Sequence, residues 1–287
     1  MKRSFAMLAK NYDPDKHIIN GWMVSEKLDG CRAMWLPDLD PVYTNDPESY
    51  PTGLWTRDGK VIHAPSWWLA KLPDIPLDGE LWLDRSSFQR TMSYVRKKTP
   101  DDSEWEHIKF MAFDIPVRIE AGKIDFKNHS VLVPDLVVHP KLTQNIPFRF
   151  VYKILTEKYE ENDVFRVASQ RRLRHKDDLE EMLNEVVSRG GEGLMLRNPS
   201  STWCQHRTDN LLKVKPTYEM QVTVTGYYYG DGKYYGMMGA LEVMSDPDSE
   251  GARRGFKVSG FTDEERKVPS FGLPFSRSRE DDCVFRM

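Results

Sequence analysis

The sequence lacks several features that would place it in whole classes of protein. Its 287 residues contain no apolar run near the roughly 20 residues that a membrane-spanning helix needs. The apolar part of residues 1–10 is too short and too broken for the core of a secretory signal. No internal repeat or low-complexity tract is present. These absences predict a globular cytoplasmic protein that has no membrane partner.

Cysteine is also scarce. The three cysteines, Cys31, Cys204 and Cys283, lie far apart, and no Cys-x-x-Cys pair or cluster of His and Cys suggests a zinc site. We expect reduced thiols, as in a cytosolic protein. A catalytic role for Cys31 is disfavoured because no histidine lies close to it in sequence.

The chain has no excess of positive charge, since its net charge is −3. The distribution of charge is uneven, however. Residues 85–98 and residues 165–176 each carry five basic residues and no acidic one. Each stretch alone is typical of a solvated face, but two of them in a net-acidic chain favour contact with a polyanion.

The pattern of apolar residues predicts strands joined by turns, followed by one clear helix. Apolar residues at helical spacing predict a helix between Asp177 and Gly190. Asp231-Gly232 lies between tyrosine-rich flanks and predicts a hairpin turn. The short strands after Pro216 suit a small barrel of the OB type, so we expect a domain boundary and hinge near Pro216. The predicted strands are Trp22–Leu28, Ile75–Leu83, Ile108–Ile115, Glu192–Arg197, Leu211–Lys215, Gln221–Thr225, Met237–Met244 and Arg254–Val258.

The run from Ser25 to Arg32 has the composition of a nucleophile site. A neutral amine on Lys27 can attack phosphorus or a carbonyl carbon. Gly30 would let the chain turn and approach a ligand, and Asp29 would orient the amine. Arg32 would hold phosphate or ribose oxygens with its planar fork. The alternative for this run alone is a solvated lysine before a surface turn.

Further segments follow this run in a characteristic order. The ordered set resembles the ATP-dependent DNA ligases, within the covalent nucleotidyltransferases that also include RNA ligases and mRNA capping enzymes. Two segments near the end resemble the OB domain of DNA ligases. The first five segments in the chain are Lys27–Arg32, Leu77–Leu81, Phe110–Asp114, Gly191–Arg197 and Leu211–Pro216. The two that resemble the OB domain are Met238–Val243 and Gly260–Arg266.

The resemblance implies an α+β fold with two domains. Residues 1–216 would form the adenylation (nucleotidyltransferase) domain, with antiparallel sheets and flanking helices, and residues 217–287 a small all-β OB fold. The implied activity is ATP-dependent sealing of 5′-phosphate/3′-hydroxyl nicks in duplex DNA, through a lysyl-AMP intermediate and an adenylated DNA 5′ end. ATP and Mg²⁺ (or Mn²⁺) would be the cofactors, nicked duplex DNA the partner, and the protein a monomer.

The resemblance also implies roles for individual residues. The catalytic residues would be Lys27, Lys213, Lys215 and Arg32. Since Lys213 and Lys215 alternate along a strand, they share one face and would both meet the α-phosphate. Phe113 would stack on the adenine, although a core aromatic at a strand end is an equal alternative. The cofactor-binding set would be Glu26, Lys27, Arg32, Glu80, Phe113, Glu192, Lys213 and Lys215. Glu80 and Glu192 would bind the metal, and Arg57, Arg207, Arg90, Lys97 and Arg171 would bind DNA.

The sequence departs from the family pattern at its end. Larger ligases end the OB domain with an Arg-x-Asp-Lys type of motif, and the nearest match here is Arg279-Glu280-Asp281-Asp282. We also expect no DNA-binding domain before Lys27, so residues 88–98 or the stretch near Arg171 would help to grip DNA.

Two other functions remain as alternatives. One is an RNA ligase or capping guanylyltransferase, which the segments Glu192–Arg197 and Gly239–Val243 disfavour. The other is a non-catalytic nucleic-acid binder with a decayed transferase domain. The intact candidate residues argue against decay: Lys27, Glu80, Glu192, Lys213 and Lys215.

Overall fold

The computed structural model describes most of the chain. The described residues are 6–37, 53–116, 118–119, 122–126, 129–133, 136–137, 146–217, 219–247, 251–267 and 283–286. The chain divides into two compact units, Met1–Pro216 and Thr217–Met287. The candidate terminal motif at residues 279–282 lies outside the described residues. Within the described part, none of the helices has the length and apolar character needed to cross a bilayer.

The first unit mixes strands with short helices. Its described strands are β1 (Leu8–Asn11), β2 (Met23–Glu26), β3 (Cys31–Trp35), β4 (Leu54–Thr56), β5 (Leu77–Trp82), β6 (Lys109–Asp114), β7 (Arg118–Ile119), β8 (Gly122–Phe126), β9 (His129–Val133), β10 (Leu136–Val137), β11 (Phe165–Val167), β12 (Arg171–Arg172), β13 (Leu194–Arg197) and β14 (Arg207–Val214). Its described helices are α1 (Ser66–Leu69), α2 (Phe88–Val95), α3 (Asp102–Trp105), α4 (Phe148–Lys158) and α5 (Asp178–Ser188).

Two five-stranded sheets organise the first unit. One has the strand order β1-β14-β13-β2-β12, and the other has the order β11-β6-β5-β3-β4. Most neighbouring strands are antiparallel, but β1 with β14 and β11 with β6 are parallel. The fold is therefore α+β with mainly antiparallel sheets, as predicted.

Each sheet has its own hydrophobic core. On the first sheet, α5 packs through a stripe at helical spacing, Leu179, Met182 and Val186. Burying such side chains contributes about 1.5–3 kcal/mol each. On the second sheet, Trp68 and Trp105 are fully buried and pack edge to face with ring centroids 4.9 Å apart. These cores fix the sheets whose other faces carry the polar residues described below.

Two helix ends follow from local sequence. The side chain of Asp101 caps α3 by accepting from the backbone N–H of Ser103 at 2.9 Å. This bond satisfies one of the unpaired donors at a helix N-terminus. Just after the C-terminal end of α5, Gly190 has a φ of 78°. Glycine adopts this left-handed conformation readily, and helices commonly end at such a residue.

The second unit is a small β structure. Its described elements are β15 (Glu219–Tyr229), β16 (Met238–Ser245), β17 (Gly255–Val258), β18 (Cys283–Arg286) and the short helix α6 (Asp263–Lys267). The sheet order is β17-β16-β15-β18, and all pairs are antiparallel. Val222, Leu241 and Val243 form its buried core.

The predicted elements are present, with some changes in extent. The strand predicted at Gln221–Thr225 extends over all of β15, because its pairing with β16 continues to Tyr229. The hairpin predicted at Asp231-Gly232 connects β15 and β16. Its connection is longer than a two-residue turn and contains a 3₁₀ turn at Gly232–Tyr234.

Candidate active site

A cavity of about 920 Å³ is lined by residues from both five-stranded sheets of the first unit. Its size is within the range of pockets that bind small molecules and cofactors. The cavity wall includes ten of the predicted site residues. They are Glu26, Lys27, Arg32, Arg57, Glu80, Phe113, Glu192, Arg207, Lys213 and Lys215. Three predicted residues, Arg90, Lys97 and Arg171, are not part of this wall.

Lys27 lies directly after β2, where the backbone is still held by the neighbouring strand. Its N–H donates to the carbonyl of Gly193 at 2.8 Å. Its side-chain amine, Nζ, donates to Oε2 of Glu192. Because the backbone and the side chain are both fixed from the same segment, Lys27 has a defined position in the cavity.

Glu192 connects two amines. Its second oxygen, Oε1, lies 2.7 Å from Nζ of Lys215. Burial alone would raise the pKa of Glu192, but hydrogen bonds from Lys215 and Lys27 outweigh burial and lower the pKa below its usual range. Glu192 is therefore a carboxylate at neutral pH, and it holds Lys27 and Lys215 on either side of itself.

The alternation of β14 brings Lys213 to the same cavity. Lys213 is paired with Met195 across the sheet, and both line the cavity. Val214 packs against the core under α5 instead. Lys213 and Lys215 thus lie on the cavity side of the strand, the arrangement that period-two alternation predicts.

The guanidinium of Arg32 is held by a buried carboxylate. Asp78 has no exposed surface, and it accepts from Nε of Arg32 at 2.6 Å and from Nη2 at 2.8 Å. It also accepts from Nε1 of Trp203 at 2.9 Å. Burial lowers the pKa of Arg32, but the charge of Asp78 more than reverses that effect, so the net shift is upward. The guanidinium is permanently charged and rigidly placed.

Phe113 reaches the cavity at an irregularity in the pairing of β5 with β6. Asp78 is paired with Asp114, but Gly79 is already paired with Ala112, so Phe113 is an extra residue on its strand. Such a bulge redirects side chains, and here both Phe113 and Asp114 line the cavity. The guanidinium of Arg32 lies 4.3 Å from the centroid of the Phe113 ring.

Two acidic groups near Arg32 have raised pKa values. Burial raises the pKa of Glu80 to about 7, against the opposing charges of Arg32 and Lys27. Burial likewise raises the pKa of Asp114 to about 6, against the charge of Arg197. Perturbed carboxyl groups in a cavity are typical of functional sites. Glu80 therefore changes its protonation near neutral pH.

Gly30 and Cys31 have structural explanations. A Cβ atom on Gly30 would lie 2.3 Å from the carbonyl oxygen of Leu81, so glycine is needed for close packing of the turn on β5. The sequence predicted a close approach to a ligand, and the structure shows a close approach to backbone. Burial raises the pKa of the Cys31 thiol to about 11, which leaves it uncharged and unreactive.

The predicted DNA-binding residues fall into two groups. Arg57 and Arg207 line the cavity, and Arg207 also donates to the carbonyl of Ala9. The other three lie outside the cavity wall and have partners. Arg90 donates to Ser87, Lys97 contacts Glu104 at 2.6 Å, and Arg171 contacts Glu185 at 2.8 Å.

Acids from other segments therefore balance part of the positive charge of the two acid-free stretches. Glu104 and Glu185 are separated in sequence from the basic residues that they pair with. The net charge of a surface is set by what folding brings together, so the two stretches are less basic in the structure than in the sequence.

Glu26 has an ion-pair partner that the sequence did not predict. Both of its carboxylate oxygens accept from Arg85, one from Nε at 2.8 Å and the other from Nη2 at 2.7 Å. The sequence predicted that Glu26 would lie near an adenine edge. In the structure it lines the cavity, and its carboxylate forms a bidentate ion pair.

Sequence reasoning missed several charged residues around the cavity. Asp78 lies two residues before Glu80 on its strand, and Arg197 lies two residues after Met195 on another. Residues two apart on a strand share a face, so this spacing could have identified both. Arg197 is buried, contacts Asp114 at 3.1 Å, and has an Nε atom with no hydrogen-bond partner. No sequence signal distinguished Arg96, which also lines the cavity.

The family model of the ATP dependent DNA ligase domain matches residues 6–215, which include the whole cavity wall. The chain belongs to the ATP-dependent DNA ligase family.

Individual relatives agree with this assignment. A DNA ligase of Haemophilus influenzae is 28% identical over 252 residues, which cover 88% of this chain and 77% of the relative. A DNA ligase of Archaeoglobus fulgidus is 27% identical over 201 residues, but these cover only 33% of that longer protein.

Solved structures of DNA ligases also resemble this one. A structure from a study of DNA binding with a minimal scaffold in Lig E DNA ligases is 32% identical to it. The two structures superpose with a TM-score of 0.67, and the match includes 98% of this chain and 91% of the Lig E chain. The Chlorella virus DNA ligase–adenylate, at 17% identity and a TM-score of 0.50, covers 91% of this chain and 84% of its own and shows a shared fold. The two-part fold of nucleotidyltransferase and OB domains is therefore the fold of this ligase-family chain.

Proposed function

We propose that this protein is an ATP-dependent DNA ligase that seals 5′-phosphate/3′-hydroxyl nicks in duplex DNA. The observation that carries the proposal is the placement of Lys27 in one cavity with cationic and carboxylate groups suited to phosphoryl transfer. Its amine is held by Glu192, which also holds Lys215, and Lys213 and Arg32 line the same wall. Phosphoryl transfer depends on such positioning and charge neutralisation.

In the first step, Nζ of Lys27 attacks the α-phosphorus of ATP. A nitrogen–phosphorus bond forms, the bond to the oxygen that bridges the α- and β-phosphates breaks, and pyrophosphate leaves. The attacking amine must be neutral, so Lys27, which is partly exposed, gives up a proton to solvent before it attacks. Lys213 and Lys215 stabilise the negative charge on the phosphate oxygens because both line the cavity on the same strand face.

The next two steps transfer the AMP to DNA and release it. An oxygen of the nick 5′-phosphate attacks the phosphorus of lysyl-AMP, and Lys27 leaves as the amine. The 3′-hydroxyl then attacks the activated 5′-phosphate, and AMP leaves. Arg57 and Arg207, at the cavity wall, bind the DNA phosphates near the nick, and Arg90, Lys97 and Arg171 bind the duplex further away.

The nucleoside would contact the residues around Arg32. The ring of Phe113 is half-buried at the cavity, next to the guanidinium of Arg32, and would stack on the adenine. Glu80 is paired with Arg32 across the two strands. An ionised Glu80 and the fixed guanidinium of Arg32 would therefore hold the ribose hydroxyls from adjacent positions.

The carboxylates of Glu80 and Glu192 would bind Mg²⁺ (or Mn²⁺). No group of three potential metal-binding side chains occurs among the described residues. Carboxylate oxygens are the hard ligands that Mg²⁺ prefers, so the two side chains would suit such an ion. When bound, the ion neutralises charge that develops on the phosphates.

The protein would act as a monomer in which each unit has a separate role. Residues 1–216 contain the whole cavity wall and would be the adenylation domain. Residues 217–287 would be the OB domain, which would add contacts to the DNA. One molecule would bind one nick.

The test is incubation with ATP or GTP labelled on the α-phosphate, followed by a denaturing gel. We expect a covalent AMP adduct and no GMP adduct. The Lys27→Ala variant should form no adduct and seal no ordinary nick, because no other amine lies in its place. It should still seal a nick that already carries 5′-AMP, because the last step uses no lysine adduct.

Lys71→Ala is a matched control, because Lys71 pairs with Asp163 at the surface and does not line the cavity. It should adenylate and seal normally. An adduct of AMP on the Lys27→Ala protein, seen by intact-mass analysis, would exclude Lys27 as the nucleophile. A wild-type protein without any adduct would refute the proposed function.

A further inference from the structure

The ion pair between Glu26 and Arg85 lies immediately next to the proposed nucleophile. Its two hydrogen bonds, of 2.8 and 2.7 Å, join both carboxylate oxygens to the guanidinium fork. Both side chains are half-buried, with exposed fractions of 21% and 31%. This bidentate geometry restricts both partners in orientation as well as in distance.

Glu26 also contacts the segment that carries Glu192. A Cβ atom on Gly191 would lie 2.9 Å from Oε1 of Glu26. It would also lie 2.4 Å from Cγ1 of Val186 and 3.0 Å from the carbonyl of the same residue. The carboxylate of Glu26 therefore fills the space between Arg85 and the turn that leads into Glu192.

Arg85 comes from a tightly folded loop after β5, the strand that carries Glu80. The backbone N–H of Arg85 donates to the side chain of Asp84 at 2.7 Å. The next residue, Ser86, has a φ of 56°, and it is the only non-glycine residue with a positive φ in the described part of the chain. L-residues rarely adopt this conformation, so the surrounding contacts define the path of the loop.

The pair thus joins three segments that each carry a residue of the proposed adenylation site. Glu26 directly precedes Lys27, Gly191 directly precedes Glu192, and Arg85 follows the strand with Glu80. The segments of Glu26 and Gly191 belong to neighbouring strands of one sheet, in which Glu26 is paired with Leu194, but the loop that carries Arg85 follows a strand of the other sheet. The ion pair therefore fixes the loop after β5 against the end of β2 that leads into Lys27.

We propose that Arg85, through its ion pair with Glu26, is a positioning residue that holds Lys27 in line for attack on ATP. The inference rests on the proposed function, and it deepens the first step of that function. Arg85 does not contact the reacting atoms. Small displacements of a nucleophile are costly because attack requires a near-attack geometry.

The test compares separate steps of the reaction in Arg85→Ala, Arg85→Lys, Glu26→Gln and the Arg85→Ala/Glu26→Gln double variant. Single-turnover adenylation gives the maximal rate and the half-saturating ATP concentration. Sealing of a nick that already carries 5′-AMP gives the last step alone. For Arg85→Ala we expect a maximal adenylation rate lower by about tenfold. The half-saturating ATP concentration and the rate of sealing a nick that already carries 5′-AMP should each change less than about twofold. Neither quantity depends on the orientation of the Lys27 amine.

The other variants separate geometry from charge. Arg85→Lys keeps the charge but loses the fork, so its rate should lie between those of wild type and Arg85→Ala. The double variant should be no slower than the slower single variant, because both changes remove one interaction. Arg166→Ala is the matched control: it breaks an Arg–Glu pair with Glu161 in the same unit, and it should adenylate normally.

Several results would overturn the inference. Equal losses in adenylation and in the last step, or a thermal midpoint lowered by more than about 4 °C, would make Arg85 a structural residue only. A raised half-saturating ATP concentration at an unchanged maximal rate would assign Glu26 to the adenine edge. An unchanged rate in Arg85→Ala would remove the positioning role and leave the proposed function intact, whereas a wild type without adduct would refute both.

Discussion

The buried carboxylate of Asp78 should be essential to the stability of the first unit. Asp78 accepts three hydrogen bonds, two from Arg32 and one from Trp203, and none of its surface is exposed. Replacement by Asn removes the charge and puts an N–H₂ group against donors at one of the two oxygen positions. Arg32, whose side chain is 20% exposed, would then be a largely buried cation without its partner.

The expected loss of stability is about 3 kcal/mol. Removing one partner from a buried ion pair costs about 3–5 kcal/mol. The lower end applies here because Glu80 and Asp114 also act on the charge of Arg32 and would compensate part of the loss. The cost exceeds that of a lost neutral hydrogen bond, which is about 1 kcal/mol.

Urea unfolding followed by tryptophan fluorescence measures this loss. With a slope near 3 kcal/mol per molar urea, the midpoint of Asp78→Asn should fall by about 1 M at an unchanged slope. Asp163→Asn is the control, because it breaks the surface pair with Lys71, and its midpoint should not move. A midpoint for Asp78→Asn that matches the control would show that Asp78 and Arg32 do not stabilise each other, and would refute the reasoning.

Two further predictions concern pH and salt. Burial raises the pKa of Glu80 to about 7 from its ordinary value of 4.5, so its contribution to stability is fully present below 4.5 and is lost as pH rises through 7. Glu80→Gln should remove this part of the pH dependence of unfolding. It should also abolish a rise in adenylation at subsaturating ATP between about pH 6 and 8, if ionised Glu80 binds the nucleotide; an unchanged pH profile would contradict that role. Arg57→Ala should reduce the slope of log affinity for DNA against log salt by about 0.9, the value for one phosphate contact. It should weaken binding to a phosphorylated nick more than binding to intact duplex, and equal losses would make Arg57 a general backbone contact.

Much of the candidate site could be read from the sequence, because its chemistry is local. Lys27 and Arg32 lie five residues apart in one run, and the alternation of a strand places Lys213 and Lys215 on the same side. Glu80 and Glu192 follow in short motifs of their own. Strand and helix positions were predictable for the same reason, since period-two and helical patterns need only neighbouring residues.

The tertiary structure decided which groups pair with one another. The bulge that brings Phe113 and Asp114 together to the cavity depends on the register of β6 against β5, and a sequence pattern does not contain that register. Burial raises the pKa of Glu80, and burial is a property of the packed sheets. The same holds for the partners of Glu26 and Arg85, which are separated by 59 residues in sequence. Ion pairs over such distances form only after the sheets have packed, so the sequence determined the candidate residues and the fold determined how they are held.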